Sequence, residues 1–247
     1  MDLTIVIPAF DESKKIAGDI IAAANFLHAN NLAGEIIVVD DGSSDGTSEK
    51  AGQTAVPYGI NLNVIRYEEH HGKGYAVRRG IEQSTGKYVM FADSGSCIPY
   101  DNALKGLELL KGDTCDIAHG SRKTAGRNIV KAQSLLRRIY SGLFHWFIVL
   151  FMKIPAELTD TQCGFKIYKG DIARDLYGRC ITDGFSFDVE IILRAMLQGC
   201  RIKEFPVDWT CDIDSRLSPA RSAGKIMSEL LNIRSAVRRQ GTGKSKT

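Results

Sequence analysis

Apolar residues in the first half of the chain follow two rhythms in turn. Short runs at residues 3–8, 35–39, 62–66 and 88–92 read as strands. Between them the spacing becomes helical. At 12–30 Ile16, Ile20, Ile21, Ala24 and Leu27 share one face, and 43–54 and 73–84 read as further helices. Strand and helix in alternation predict an α/β fold with a mostly parallel sheet, helices on its faces and right-handed crossovers. Such sheets bind ligands beyond the carboxyl ends of their strands. The second half is less regular. It reads as one or two helices over 131–154, basic at the start and apolar by 144–151, then a strand at 164–168, a helix at 188–198 and a strand at 201–207. A basic amphipathic helix at 221–239 and a disordered tail at 241–247 complete the expectation. Neither a repeat nor a linker divides the chain, so residues 1–240 are expected to form a single domain.

Composition narrows this only slightly. With 247 residues, 44% hydrophobic and 25% charged, the chain is long enough to bury a core without disulfides or structural metal, and collagen-like, disordered and disulfide-scaffold classes are excluded. The six cysteines (97, 115, 163, 180, 200 and 211) form no CxxC pair and no zinc spacing, and read as reduced core thiols of a cytoplasmic protein. The start carries no basic segment, and its apolar run is too short for a signal peptide. The longest apolar run, 143–152, is ten residues interrupted by His145, against the about 20 that a bilayer requires.

The net charge of +3 is unevenly placed. Arg122, Lys123, Arg127, Lys131, Arg137 and Arg138 fall within 120–140 without an acid, and eight basic residues face the single Glu229 from Arg216 onward. Such clusters attract phosphate. Few aromatics are interleaved with them, so nucleic acid is not an expected partner.

The positions just after the strands are rich in acids: Asp11 and Glu12 after the first, Asp40 and Asp41 after the second, Asp93 after the fourth. Helix capping explains a single Asp or Ser at each place, and Asp45 and Thr47 fit that role. It does not explain two adjacent carboxylates directly behind one strand, which suit ligand N–H and O–H donors. No GxGxxG follows the first strand and no GxxxxGK[ST] occurs, which disfavours dinucleotide and P-loop sites.

In order along the chain stand IVIPAFDE (5–12), VVDDGSSDGT (38–47), HGKGYAVRRGI (71–81) and FADSGS (91–96). Together they resemble the family-2 inverting glycosyltransferases of GT-A fold. Gly120-Ser121-Arg122, DTQCGFK (160–166), FSFDVEI (185–191) and PVDW (206–209) resemble the polyprenyl-phosphate sugar transferases within it, dolichyl-phosphate glucosyltransferases first and dolichyl-phosphate mannose synthases next. The resemblance implies a nucleotide-sugar half (1–98) and an acceptor half (99–240). It places Pro8, Phe10 and Glu12 in the nucleotide pocket and Asp40 and Asp41 on base and ribose. Lys73 is either a nucleotide ligand or a solvated surface lysine. Arg122, Arg137, Ser141 and Arg216 would meet an acceptor phosphate, Gln162 the sugar hydroxyls, and Asp160 would organise metal, sugar or acceptor. Asp93, Asp160 and Arg137 are the expected catalytic set.

One departure matters. The family's Asp-x-Asp metal motif reads Asp93-Ser94-Gly95 here, so Gly95 stands where the second carboxylate is expected. Mg²⁺ is often held by one or two carboxylates plus substrate phosphates, and Asp93 with a donor diphosphate is the expected site for Mg²⁺ or Mn²⁺. The expected reaction moves glucose from UDP-glucose to a polyprenyl phosphate, dolichyl or undecaprenyl, with inversion at C1. GDP-mannose as donor, a saccharide acceptor, and a catalytically lapsed nucleotide-sugar-binding protein remain open. The 143–152 run is either a core helix or an interfacial helix of a protein lying peripherally on the cytosolic face of a membrane.

Overall fold

In the computed structural model, residues 1–95, 97–123, 149–210 and 219–243 are described. Strands β1 (Leu3–Ala9), β2 (Gly34–Asp41), β3 (Asn61–Tyr67) and β4 (Tyr88–Ala92) alternate with helices α1 (Ile16–Ala29), α2 (Thr47–Gly52) and α3 (Lys73–Glu82), each overlapping its expected segment. The second half adds α4 (Ala103–Lys111), β5 (Ile117–Ser121), β6 (Phe165–Lys169), α5 (Gly170–Gly178), α6 (Phe187–Leu197), β7 (Ile202–Pro206) and α7 (Pro219–Gly243). Helix α7 continues to Gly243, so the expected tail boundary at 241 falls inside a helix.

The sheet is seven-stranded, in the order β3-β2-β1-β4-β6-β5-β7. Strand order reverses between β1 and β4, which places a switch-point crevice at their carboxyl ends. Strand β6 runs antiparallel to both β4 and β5, whereas the β1–β2, β2–β3, β1–β4 and β5–β7 pairs are parallel. Because β6 points the other way, its entrance lies at the same edge of the sheet as the exits of β4 and β5. Ala92 pairs with Phe165, and the Asp93 amide donates to the Gly164 carbonyl at 3.0 Å. The residues before β6 and after β4 are thereby neighbours, although some 70 positions separate them in sequence.

Alternation along the strands feeds two layers. Leu3, Ile5, Ile7, Ile36, Val38, Met90, Phe165 and Ile167 pack with α1 and α4 on one face. Val6, Ile37, Val39, Val89, Phe91 and Tyr168 pack with α3, α5 and α6 on the other. A third cluster joins α6, α7 and Met152, Ile154 and Leu158. Cys115, Cys163 and Cys180 are buried, Cys97 and Cys200 half-buried, and all five are free thiols.

Three elements escaped the pattern. Strand β5 reads IAHGS and lacks a β-branched run, while α4 and α5 contain or begin with glycines that weaken a helical signal. Phe91 is central to the second layer. It is fully buried, its ring centroid 5.6 Å from that of Phe187, with the Lys166 ammonium 5.3 Å and the Lys73 ammonium 6.0 Å from it. Phe91→Ala is expected to lower stability by about 3–5 kcal/mol in urea unfolding, with Phe91→Leu costing less, because both the apolar burial and the support beneath the two ammonium groups are lost.

Candidate active site

The exits of β1 and β2 are tied together by their own polar side chains. Asp11, at φ 49°, receives the Ser44 amide on its carboxylate (2.9 Å), and its own amide donates to Ser43 Oγ (2.8 Å). The Glu12 amide donates to Thr47 Oγ1 (2.8 Å). Asp45 accepts from the Ser13 amide and from both the hydroxyl and the amide of Thr47. These hydrogen bonds bring the Asp45 carboxyl down to about 2, over the opposing effect of its desolvation.

Asp40 and Asp41 are both buried. Asp40 accepts from the Ser43 amide (3.0 Å) and the Ser48 hydroxyl (2.6 Å). Asp41 accepts from the amides of His71 (3.0 Å) and Gly72 (2.7 Å), with His70 Nδ1 2.9 Å away. Asp41 thus holds the β2 exit against the loop that opens α3, while Asp40 fastens the turn into α2. His70, to which the sequence drew no attention, stacks on Phe10 with ring centroids 3.9 Å apart. Pro8 is buried within β1, and Phe10 and Glu12 are half-buried beside it.

The start of α3 is fixed from behind. Gly72 has φ 122°, and a Cβ there would meet the Asp183 carbonyl at 2.6 Å, so only glycine permits this approach. Residues 180–184 are themselves held by Glu190, which accepts from the amides of Ile181 and Thr182 and pairs with Arg194. Arg78 ties α3 to the same loop through the Cys180 carbonyl (2.8 Å) and Asp183 (2.6 Å).

Lys73, placed by this frame, lies with Nζ 2.5 Å from Asp93 Oδ1. That oxygen is buried, and the contact is ionic rather than a well-directed hydrogen bond. Burial would depress the Lys73 ammonium, but the Asp93 and Asp188 charges overcome it and raise its pKa. Beneath, Lys166 donates to Asp188 (2.6 Å) and to the Cys163 carbonyl (2.7 Å) in full burial. Burial raises the Asp188 carboxyl, against the pull of Lys166 and Lys73.

Asp160 lies in the turn before β6. It takes Arg122 side-on, Nε to Oδ2 and Nη2 to Oδ1, both at 2.8 Å, and also accepts the Arg122 amide. Glu204 accepts from the Asp160 amide and the Thr159 hydroxyl. Burial works to raise the Asp160 carboxyl, but the Arg122 hydrogen bonds and charge outweigh it and hold it at about 2. Gln162 is half-buried next to it. A Cβ at Gly164 would land on the Asp93 carboxylate, so glycine is what lets the two motifs meet. His119, on β5, is fully buried, and burial followed by the Lys166 charge pushes its pKa well down.

The altered metal motif has its own anchor. Asp19 of α1, buried, accepts from the Ser94 hydroxyl and the Gly95 amide, both at 2.9 Å. Among the described residues no group of three or more His, Cys, Asp or Glu side chains is placed to hold a metal. Asp93, with one buried oxygen facing a cation, fits as a single carboxylate ligand that needs substrate oxygens to complete a shell. Of the expected residues the structure gathers Lys73, Asp93, Arg122, Asp160 and Gln162. Arg137, Ser141 and Arg216, and the apolar run up to residue 148, lie outside the described residues. The sequence did not single out Asp19, His70, Lys166 or Asp188. Asp188 sits in the FSFDVEI motif and Lys166 closes DTQCGFK, the two available signals.

The family model for Glycosyl transferase family 2 matches residues 4–176. The chain belongs to this family. The transferase is 32% identical over 243 residues to the dolichyl-phosphate beta-glucosyltransferase of Mus musculus, covering 94% of this chain and 74% of that protein. The Homo sapiens protein of the same name is 31% identical over equal coverage, and the Dictyostelium discoideum one 29%. Among solved structures, the glucosyl-3-phosphoglycerate synthase of Mycobacterium tuberculosis in complex with Mn²⁺, UDP and phosphoglyceric acid superposes with a TM-score of 0.68 at 17% identity, covering 96% of this chain and 78% of that one. The fold of this transferase is therefore the mixed α/β GT-A fold expected from the sequence.

The Arg122–Asp160 pair yields a signed pH test. The Asp160 carboxyl is depressed in the folded chain, so its stabilisation is complete above the unfolded value of about 3.9 and is lost as pH falls through about 2. Asp160→Asn is expected to be less stable than wild type at pH 7. In urea titrations its stability should fall less between pH 4 and pH 2.

Proposed function

We propose that this transferase moves glucose from UDP-glucose to a polyprenyl phosphate, dolichyl or undecaprenyl, with inversion at C1. The observation carrying the reading is that Asp93, at the switch-point crevice, stands against the turn bearing the Arg122–Asp160 pair, in a chain about one-third identical to dolichyl-phosphate beta-glucosyltransferases. The glucosyl-3-phosphoglycerate synthase complexes with UDP and Mn²⁺ or Mg²⁺ support the choice of base and metal.

In this reading Pro8, Phe10, Glu12, Asp40 and Asp41 form the wall against which base and ribose lie, Lys73 faces the diphosphate, and Gln162 takes sugar hydroxyls. Asp40 and Asp41 act chiefly by fixing the backbone of the pocket, since their oxygens already accept from Ser43, Ser48, His71 and Gly72. Each carboxylate oxygen retains room for a second donor. Mg²⁺ or Mn²⁺ on Asp93 supplies charge stabilisation for the departing diphosphate. Lys73 and Arg122 add fixed positive charge on the same edge.

A phosphate acceptor arrives already anionic and needs no general base. Asp160, tied to Arg122 and held at about 2, is correspondingly a poor proton acceptor. Its work is to orient the guanidinium toward the acceptor phosphate, with Arg137, Ser141 and Arg216 as further contacts. Residues 1–98 serve the donor and 99–240 the acceptor. Among the described residues no helix is long and apolar enough to cross a membrane. In this reading the protein lies peripherally on a cytosolic membrane face, where the lipid tail approaches.

The test is transfer from radiolabelled UDP-glucose, with Mg²⁺ or Mn²⁺, to dolichyl or undecaprenyl phosphate. Label is expected in the lipid extract. Its absence with every common donor overturns the lipid acceptor, and turnover only with GDP-mannose overturns the donor. Asp93→Asn is expected to lower kcat by about 10²–10³-fold. Undiminished transfer would remove Asp93 from the reaction.

A further inference from the structure

His70 stands where the exits of β1 and β2 meet the loop that opens α3, and it is held there from three sides. Its backbone packs on Gly42, at φ 80°, where a Cβ would meet the His70 backbone nitrogen at 2.7 Å. Its Nδ1 lies 2.9 Å from Asp41 Oδ2 and 3.2 Å from the Asp41 carbonyl oxygen. Both oxygens only accept, so Nδ1 carries a proton and donates. Its ring lies over Phe10, with centroids 3.9 Å apart and planes inclined by 30°. The adjacent His71 turns instead to Tyr75, at 4.3 Å between centroids.

These anchors decide what a nucleotide base meets at this corner. No third ring fits between Phe10 and His70, so that side of Phe10 is closed to a base. Asp41 is committed to three donors, the amides of His71 and Gly72 and Nδ1 of His70. The His70 side chain nevertheless keeps 49% of its surface exposed. With one face on Phe10 and the Nδ1 edge on Asp41, the exposed part is the opposite face and the Nε2 edge.

We propose, on the reading that the exits of β1 and β2 line the nucleotide pocket, that this outer face of His70 is the platform on which the base of the donor stacks. Imidazole rings serve splayed-out bases in this way. A ring already fixed in place gives up little freedom when the base arrives. Asp41 contributes by setting the plane of the ring. Flat contact accepts any base, so His70 supplies affinity for a nucleoside diphosphate and leaves the choice between uracil and guanine to other groups.

The experiment measures binding to the full chain, in Mg²⁺, of UDP and of inorganic pyrophosphate, which lacks base and ribose. Calorimetry compares wild type with His70→Ala. Proton NMR follows the His70 Cε1–H, assigned by its absence from His70→Ala or His70→Phe. His70→Ala is expected to weaken UDP binding about tenfold or more and to leave pyrophosphate unchanged. In wild type, UDP is expected to move the Cε1–H resonance upfield through the ring current of the stacked base, and pyrophosphate to leave it in place. Unchanged UDP affinity in His70→Ala, an equal loss for both probes, or an unmoved resonance overturns the proposal. If wild type binds GDP and not UDP, the donor assignment fails, and GDP takes the place of UDP in the same comparison. Wild type that binds neither nucleotide overturns the pocket reading and the platform together.

Discussion

A charge withdrawn from water has to be met by another, because an unpaired ion in a protein interior costs several kcal/mol. At the carboxyl-terminal edge of this sheet three ion pairs lie close together, shielded to different degrees: Lys166 with Asp188 fully, Arg122 with Asp160 on the carboxylate side, and Lys73 with a half-exposed Asp93. Lys166 and Asp188 are almost wholly shielded, at 1% and 3% side-chain exposure, so neither is tolerable without the other. The pairing requirement fixes the direction in which the loops leave the sheet. It accounts for a glycine at 164, where any side chain would collide with Asp93, and for the flat face of Phe91 beneath two ammonium groups.

The topology makes the pairing possible. A wholly parallel sheet would put the entrance of β6 at the far edge, and Asp160, Gln162 and Gly164 would face away from Asp93. Reversing that one strand brings the turn alongside the β4 exit, at the place where strand order already opens a crevice. A site with one wall from the first half of the chain and another from the later elements follows from the direction of a five-residue strand.

The electrostatics then limit the chemistry. Asp160 is held low by Arg122, and His119 is kept from protonation by burial and Lys166. Neither suits proton abstraction from a sugar hydroxyl near neutral pH. An acceptor that is anionic on arrival asks only for cationic groups in fixed positions, and a guanidinium clamped by a carboxylate is such a group. The β4 exit is equally sparing, where Asp93 faces Lys73 and Gly95 stands where an Asp-x-Asp motif would carry its second acid.

How much of this was legible in the sequence depends on distance along the chain. Strands β1 to β4 and the helices between them could be read because each is a local pattern, an apolar run or a helical face bounded by Asp and Gly. Asp93 and Asp160 were legible as parts of motifs. The family and its fold followed from motifs in order. The pairing of Asp41 with the His71 and Gly72 amides, the anchoring of Gly95 by Asp19, and the Lys166–Asp188 and Lys73–Asp93 contacts were not legible, because each joins residues on different elements and the partners are set by strand order and direction. Strand β5 was missed for a related reason: IAHGS has a weak propensity of its own and becomes a strand because β6 and β7 flank it. The sequence alone determined which chemical groups this transferase carries and the elements that present them. The tertiary structure decided which of those groups meet, because a charge buried at a sheet edge is satisfied only by what the neighbouring strand brings to it.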